Sequence, residues 1–190
     1  MKKVLIINGH PDKESFCFAL HNAYKEGALS KGDEVQEIIL AEMDFNPILQ
    51  HGYRKRTDQE PDLIDAWEKI QWAEHIVWIY PTWWAAPPAL MKGFIERVFL
   101  PGFTFQYQDK SPFPIKLLKG KTSEIISTMD SPIWYYKWIV KDIGGHMIRQ
   151  SIGAFCGIKN IRTTYLAIIK KSTPEQREKW IKKVKYLAMK

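Results

Sequence analysis

Residues 76–105 constrain the fold of this chain more than any other stretch. They open with Ile76-Val77-Trp78-Ile79-Tyr80, a short run of bulky apolar residues without a charge. Such a run, too short for a helix and without polar alternation, is the pattern of a strand buried on both faces of a parallel sheet. Pro81-Thr82-Trp83-Trp84-Ala85-Ala86-Pro87-Pro88 follows as a loop. Its double proline suits a first helical turn, where amide donors lack partners anyway. Beyond it Leu90, Met91, Phe94, Ile95, Val98 and Phe99 recur at helical spacing, with Lys92, Glu96 and Arg97 off the stripe. The order is strand, aromatic loop, helix. In open parallel sheets, ligands lie at the loops leaving the carboxyl ends of the strands. Trp83 and Trp84 at such a loop make either a flat apolar wall for a flat aromatic ligand or ordinary core filling.

The rest of the chain repeats this alternation. Lys3 to Asn8 reads as a first buried strand, Gly9 to Ser15 as a turn-forming loop, and Phe16 to about Leu29 as a helix stopped by Lys31-Gly32-Asp33. Glu34 to Leu40 is a second strand, partly alternating and so placed near a sheet edge. Residues 41–62 lack periodicity and carry the basic triplet Arg54-Lys55-Arg56; a connection this long is functional or mobile. A helix from about Pro61 to Ala73 precedes the opening stretch, and Gln106 to Lys121 reads as a second long loop. Thr122 to Thr128 is the fourth strand, Ile133 to Ile152 is mainly helical with a break near Gly144-Gly145, and Asn160 to Ile169 is the fifth strand. The last helix starts on Thr173-Pro174 with Gln176 in capping position and runs to about Leu187. Alternating strands and helices predict a single α/β domain over residues 1–190, doubly wound around a parallel sheet.

Composition narrows the partners. The net charge of +7 favours anionic ligands or surfaces. Much of the excess lies in Lys170, Lys171, Lys182, Lys183, Lys185 and Lys190, as expected of a solvated helix face, and no nucleic-acid motif accompanies it. Cys17 and Cys156 belong to no CxxC pair, which argues against a zinc or iron–sulfur site and fits a reducing cytoplasm. Met1-Lys2-Lys3-Val4 runs straight into a strand without the apolar core of a signal peptide, and the apolar window 76–91 is broken by prolines, so no spanning segment is expected.

The first loop is the best anion site. It joins a buried strand to a helix N-terminus, where free amides and the positive dipole end attract phosphate. Ser15 stands at the cap position, with the amides of Phe16 and Cys17 beside it and His10 within the loop. Serine at such a position is also a common plain helix cap. Neither a Walker loop nor GxGxxG is present.

Taken together, Gly9-His10-Pro11 with Ser15-Phe16, then Tyr80-Pro81-Thr82-Trp83-Trp84, Pro88-Ala89-Leu90-Met91-Lys92, Arg97-Val98-Phe99 and Pro101-Gly102-Phe103-Thr104-Phe105, closely resemble the NAD(P)H:quinone oxidoreductase family of flavodoxin-like flavoproteins. The resemblance covers most of the chain in the right order. It implies a flavodoxin-like fold with a five-stranded parallel sheet in the order 2-1-3-4-5 and helices on both faces. It implies a flavin enzyme that moves electrons from NAD(P)H to quinones or similar electrophiles by two-electron hydride transfer. His10, Ser15, Phe16 and Cys17 would hold the phosphate and ribityl end. Pro81, Thr82, Trp83 and Trp84 would line the ring, and Thr128, Met129 and Asp130 would border its other edge. Tyr135, Tyr136 and His146 are candidates for gating the acceptor or donating a proton to it, against ordinary packing. Cys17 stands where well-known members carry asparagine, which favours FMN over FAD. The family also usually forms homodimers, for which Phe103, Phe105 and Trp134 to Trp138 are candidate contacts. Two other roles compete with the enzyme: a soluble accessory subunit of a bacterial potassium-efflux system, and a plain electron-carrying flavodoxin. The pI near 9.3 argues against the last, because those carriers are usually acidic.

Overall fold

The computed structural model describes residues 1–55 and 57–190; Arg56, the last residue of the basic triplet, lies outside them. Seven strands and five α-helices follow in chain order: β1 Lys3–Asn8, α1 Phe16–Ser30, β2 Glu34–Ile39, α2 Pro61–Trp72, β3 His75–Pro81, α3 Ala89–Val98, β4 Phe105–Gln108, β5 Ser111–Lys116, β6 Thr122–Met129, α4 Ile143–His146, β7 Lys159–Ala167 and α5 Pro174–Ala188. The main sheet is parallel in the order β2-β1-β3-β6-β7. That is the expected 2-1-3-4-5 once β4 and β5 are set aside, and β2 is an edge strand as its alternation suggested.

Side-chain alternation along the strands builds the two cores. Leu5 and Ile7 of β1 and Trp78 and Tyr80 of β3 face α2 and α3, where Leu63, Ile70, Phe94 and Val98 cover them. Val4 and Ile6, with Val77 and Ile79, face the opposite way against Leu20 and Tyr24 of α1 and Val184 of α5. Every residue of β3 is buried, as its unbroken apolar run requires.

Two connections differ from the sequence reading. The second long loop contains an antiparallel hairpin, β4 and β5, paired through Gln106 with Ile115 and Gln108 with Ser111. Pro112 and Pro114 masked it. They alternate, so both lack an amide on the same edge of β5, and a two-stranded ribbon has a free edge to tolerate that. The break in the helical segment after β6 falls at Lys141 and Asp142, whose φ angles of 58° and 52° are left-handed, instead of at Gly144-Gly145. Those glycines are buried inside α4, and a Cβ on Gly145 would lie 2.1 Å from the Tyr165 hydroxyl. They serve close packing there, while Asp142 accepts a hydrogen bond from Tyr165 and pairs with Arg149 at 2.7 Å.

The connection between β2 and α2 is long but clamped. Arg97 of α3 is 1% exposed. Its guanidinium donates to the carbonyls of Asn46 at 2.5 Å and Asp58 at 3.0 Å and to the Glu60 carboxylate at 2.6 Å. Gly93, one turn earlier, lets the chain lie against the helix, because a Cβ there would meet Pro47 Cβ at 2.5 Å. Removing the buried guanidinium strips three acceptors of their shared donor. Arg97→Met is expected to destabilise the fold by about 3 kcal/mol. Urea unfolding of the two proteins checks this; a difference below about 1 kcal/mol would mean that the loop holds without its clamp.

Candidate functional site

Parallel pairing sends every β-to-α loop to one edge of the sheet. The loops after β1, β3, β6 and β7 meet there around a cavity of about 350 Å³. His10, Ser15, Phe16 and Cys17 line one side and Pro81, Thr82 and Trp83 another, with Thr128, Met129 and Asp130 closing a third. These are ten of the eleven residues expected from sequence to surround a ligand. Trp84 is the exception: it is fully exposed and lines no part of the cavity.

The end expected to take an anion is built on α1. Ser15 occupies the cap position with an extended backbone, yet its side chain makes no capping bond, and Oγ is buried without a partner. Thr173, at the start of α5, behaves as an ordinary cap and accepts the Gln176 amide hydrogen at 3.3 Å. The first turn of α1 also carries no acidic residue. The amides of Phe16 and Cys17 in that turn have no intrahelical acceptor, whereas that of Phe18 already bonds the Ser15 carbonyl at 3.0 Å. The result is an uncompensated positive helix end with a hydroxyl beside it.

His10 adds a donor. Its Nδ1 accepts the Asp12 amide hydrogen at 3.0 Å, so a neutral ring carries its proton on Nε2. Burial lowers the imidazole pKa below its ordinary value, against the opposing pull of Asp12, which favours that neutral form. The Cys17 thiol is pushed up to about 12 by burial and lies 3.4 Å from Thr128 Oγ1. It is a neutral packing group between α1 and β6, without nucleophilic character.

The aromatic side is a tight reversal. Trp83 and Ala86 exchange amide-to-carbonyl bonds of 2.9 and 3.0 Å around Trp84 and Ala85, whose φ angles are 50° and 65°. Two non-glycine residues in the left-handed region cost roughly 1–3 kcal/mol each. Neighbours hold them there. The Ala85 carbonyl accepts from the Gly144 amide at 2.9 Å and from the Tyr136 hydroxyl at 3.2 Å. Thr82 is fixed by its amide bond to the Thr128 carbonyl at 2.7 Å and its hydroxyl contact with Ser127 at 2.7 Å. Trp83 is thereby left half-exposed in the cavity wall, its indole edge-on to His10 at 5.4 Å. Core filling is excluded for both tryptophans by their exposure.

The three reactive candidates do not gather in the cavity. Tyr136 is buried and tied to Ala85 and Gly145, and burial raises its phenol pKa. Tyr135 and His146 are exposed and line none of the wall. Conversely, sequence reasoning missed Asp12, Ile169, Lys170 and Arg177, which complete the lining. Arg177 bonds Ser172 Oγ at 2.8 Å and the Ile169 carbonyl at 3.3 Å, with its guanidinium 5.9 Å from the Phe16 ring. Asp130 accepts the Lys170 amide hydrogen at 2.8 Å, joining the loops after β6 and β7. One signal was available: α5 follows a parallel strand, so its first turns must face the same edge as α1.

Comparison with known proteins agrees with this geometry. Residues 2–187 match a family model described as flavodoxin-like fold. The chain is 32% identical to an uncharacterized NAD(P)H oxidoreductase of Haemophilus influenzae, over 83% of this chain and 79% of that protein. It is 28% identical to NAD(P)H dehydrogenase [quinone] 1 of Rattus norvegicus, over 97% of this chain and 77% of that one. The crystal structure of Smu.1420 from Streptococcus mutans superimposes with a TM-score of 0.86 at 30% identity, covering 98% of both chains.

The bare helix end makes a two-sided prediction. Ser15→Asp places a carboxylate where dipole and amides favour it, so ligand-free stability should rise by up to about 1 kcal/mol. The same carboxylate opposes a phosphate, so with FMN as the probe the variant should retain less of it on gel filtration than the parent does. Undiminished FMN retention would remove the anion assignment from this loop.

Proposed function

The chain belongs to the flavodoxin-like family of NAD(P)H:quinone oxidoreductases, and we propose that it is an FMN-dependent enzyme that passes two electrons from NAD(P)H to quinones or similar electrophilic acceptors. The observation that carries this reading is the buried, unpartnered hydroxyl of Ser15, a residue of the cavity wall at an uncapped helix start. A buried donor without an acceptor is unfavourable unless a ligand supplies one. The residues present fit a flavin phosphate: the Ser15 hydroxyl and two helix amides bind it, and the Nε2 proton of neutral His10 and the Arg177 guanidinium add donors or charge. Pro81, Thr82 and Trp83 orient the ring on one side, with Thr128, Met129 and Asp130 on the other. Flavin, when bound, supplies the hydride chemistry, and the protein positions it and excludes competing reactions.

Within this reading Tyr136 is a positioning residue. It acts through the Ala85 carbonyl to hold the left-handed turn that presents Trp83 and Trp84. Trp84, outside the cavity and open to solvent, is the aromatic surface available to an incoming acceptor. Tyr135 and His146 receive no role in the reaction. FMN is favoured over FAD because the buried Cys17 thiol, already engaged with Thr128, offers nothing to a longer cofactor. The reading includes a homodimer. Phe105 is buried and Phe103 packs on Trp67 at 5.5 Å, which leaves the exposed Trp134, Tyr135 and Trp138 of the expected contacts and adds Tyr107 and Phe113 of the hairpin.

The test is an absorbance spectrum of purified protein, repeated after adding FMN and then NADPH or NADH without oxygen. Protein-bound flavin bands that bleach in one two-electron step, and return on adding a quinone, are expected. A protein that ignores flavin, or oxidises neither nicotinamide, would overturn the proposal. Trp83→Ala should weaken FMN binding roughly tenfold, about 1.4 kcal/mol, while urea unfolding stays near that of the parent, because the indole is already half-exposed.

A further inference from the structure

Among the described residues, five that are not glycine have a left-handed backbone: Trp84 and Ala85 after β3, Lys141 and Asp142 after β6, and Ile168 after β7. All five fall in connections that also supply the cavity wall. Such a backbone is unfavourable for a residue with a Cβ, persists only where its surroundings hold it, and gathers at functional sites. Four of the five form two adjacent pairs, and hydrogen bonds join one pair to the other. The Ala85 carbonyl accepts from the Tyr136 hydroxyl at 3.2 Å and from the Gly144 amide at 2.9 Å. Asp142 stands between those two donors in the sequence, and its own amide donates to the Tyr136 carbonyl at 3.0 Å.

Asp142 is the fixed point of that system. It precedes α4, yet its carboxylate caps no amide of that helix. One oxygen accepts the Tyr165 hydroxyl of β7, and the other accepts from the Arg149 guanidinium at 2.7 Å. Arg149 also donates to the Tyr165 hydroxyl oxygen at 3.4 Å. Burial, reinforced by Asp142, raises the Tyr165 phenol pKa, so that hydroxyl keeps its proton and is the donor. The Tyr165 ring packs edge-on to Tyr136 at 5.3 Å, with the Lys137 ammonium 5.9 Å from it. Gly145 makes room for the junction, because a Cβ there would stand 2.6 Å from Arg149 Nη1. Asp142, Arg149 and Tyr165 line no part of the cavity themselves.

We propose that Asp142 is a positioning residue for the aromatic wall of the cavity. Fixed by Tyr165 and Arg149, it keeps Tyr136 and Gly144 against the Ala85 carbonyl, and thereby keeps the left-handed turn that sets Trp83 in the wall. Its effect on a bound flavin ring rests on the proposed oxidoreductase reading; its hold on the turn does not.

Substitution at Asp142 in the full chain is the test. Asp142→Gly removes both carboxylate bonds while its backbone accepts the φ of 52° without strain. Asp142→Asn tolerates the same region and keeps an acceptor for Tyr165. In ligand-free protein, the indole nitrogen–proton resonances of Trp83 and Trp84, assigned by substitution to phenylalanine, should move in Asp142→Gly and stay near those of the parent in Asp142→Asn. The resonance of Trp78, buried in the sheet, should stay in both. In flavin titrations Asp142→Gly should weaken FMN and riboflavin alike, by about tenfold, because the ring wall has moved and the phosphate end has not. Tyr165→Phe, which keeps the packing on Tyr136, should act in the same direction by a smaller factor. Unmoved Trp83 and Trp84 resonances in Asp142→Gly, or undiminished flavin affinity in that variant, would overturn the proposal. So would an equal shift at Trp78, which would make Asp142 a general contact of the fold. Shifts confined to Trp83 and Trp84 in a protein whose parent takes up neither flavin would support the hold on the turn and defeat only the cofactor reading.

Discussion

The structure depends on burying β1 and β3 on both faces. Val4 and Ile6 go to one layer and Leu5 and Ile7 to the other, and β3 has no exposed residue at all. A strand of that kind cannot lie at a surface, so helices must cover both sides, and each connection must cross over to restart in the same direction. Parallel strands then end at one edge. The cavity is a consequence: it lies where the loops after β1, β3, β6 and β7 have to meet, and where helices α1 and α5 have to begin.

What distinguishes that edge from mere loop packing is the contrast between two helix starts. Thr173 closes α5 with its own side chain, whereas Ser15 leaves α1 open and its hydroxyl buried without a partner. The absence of acid in the first turn of α1 and the presence of Arg177 and Lys170 in the same wall point the same way. Burial opposes charge on His10 and Cys17, so this end of the cavity offers neutral donors and fixed dipoles. Such groups are already oriented and need no reorganisation when an anion arrives.

The opposite wall is held by a different device. The turn at Trp84 and Ala85 is unfavourable on its own, and the carbonyl of Ala85 is tied by Tyr136 and Gly144 from the segment after β6. That segment is pinned in turn through Asp142 by Tyr165 and Arg149. One chain of bonds thus holds the turn that sets Trp83 in the cavity wall and leaves Trp84 in solvent. The clamp of Arg97 does similar work for Asn46, Asp58 and Glu60, tying both ends of a long connection to α3.

Local pattern was enough for the alternation of buried strands and helices and for the loop before α1 as an anion site, because strands, helix starts and β-to-α loops are written in runs of neighbouring residues; the strand order and most of the cavity's wall were implied by the resemblance that those runs carry. Three features needed the folded chain. The hairpin was hidden because Pro112 and Pro114 read as loop until a partner strand is supplied. Arg177 and Lys170 join the wall from more than 150 positions beyond Ser15, and no local pattern expresses such an approach. That neither Trp83 nor Trp84 fills the core, that only Trp83 joins the wall, and that Ser15 makes no capping bond turned on exposure and on an absent hydrogen bond. Both are properties of surroundings that the fold assembles, so only the tertiary structure decided them.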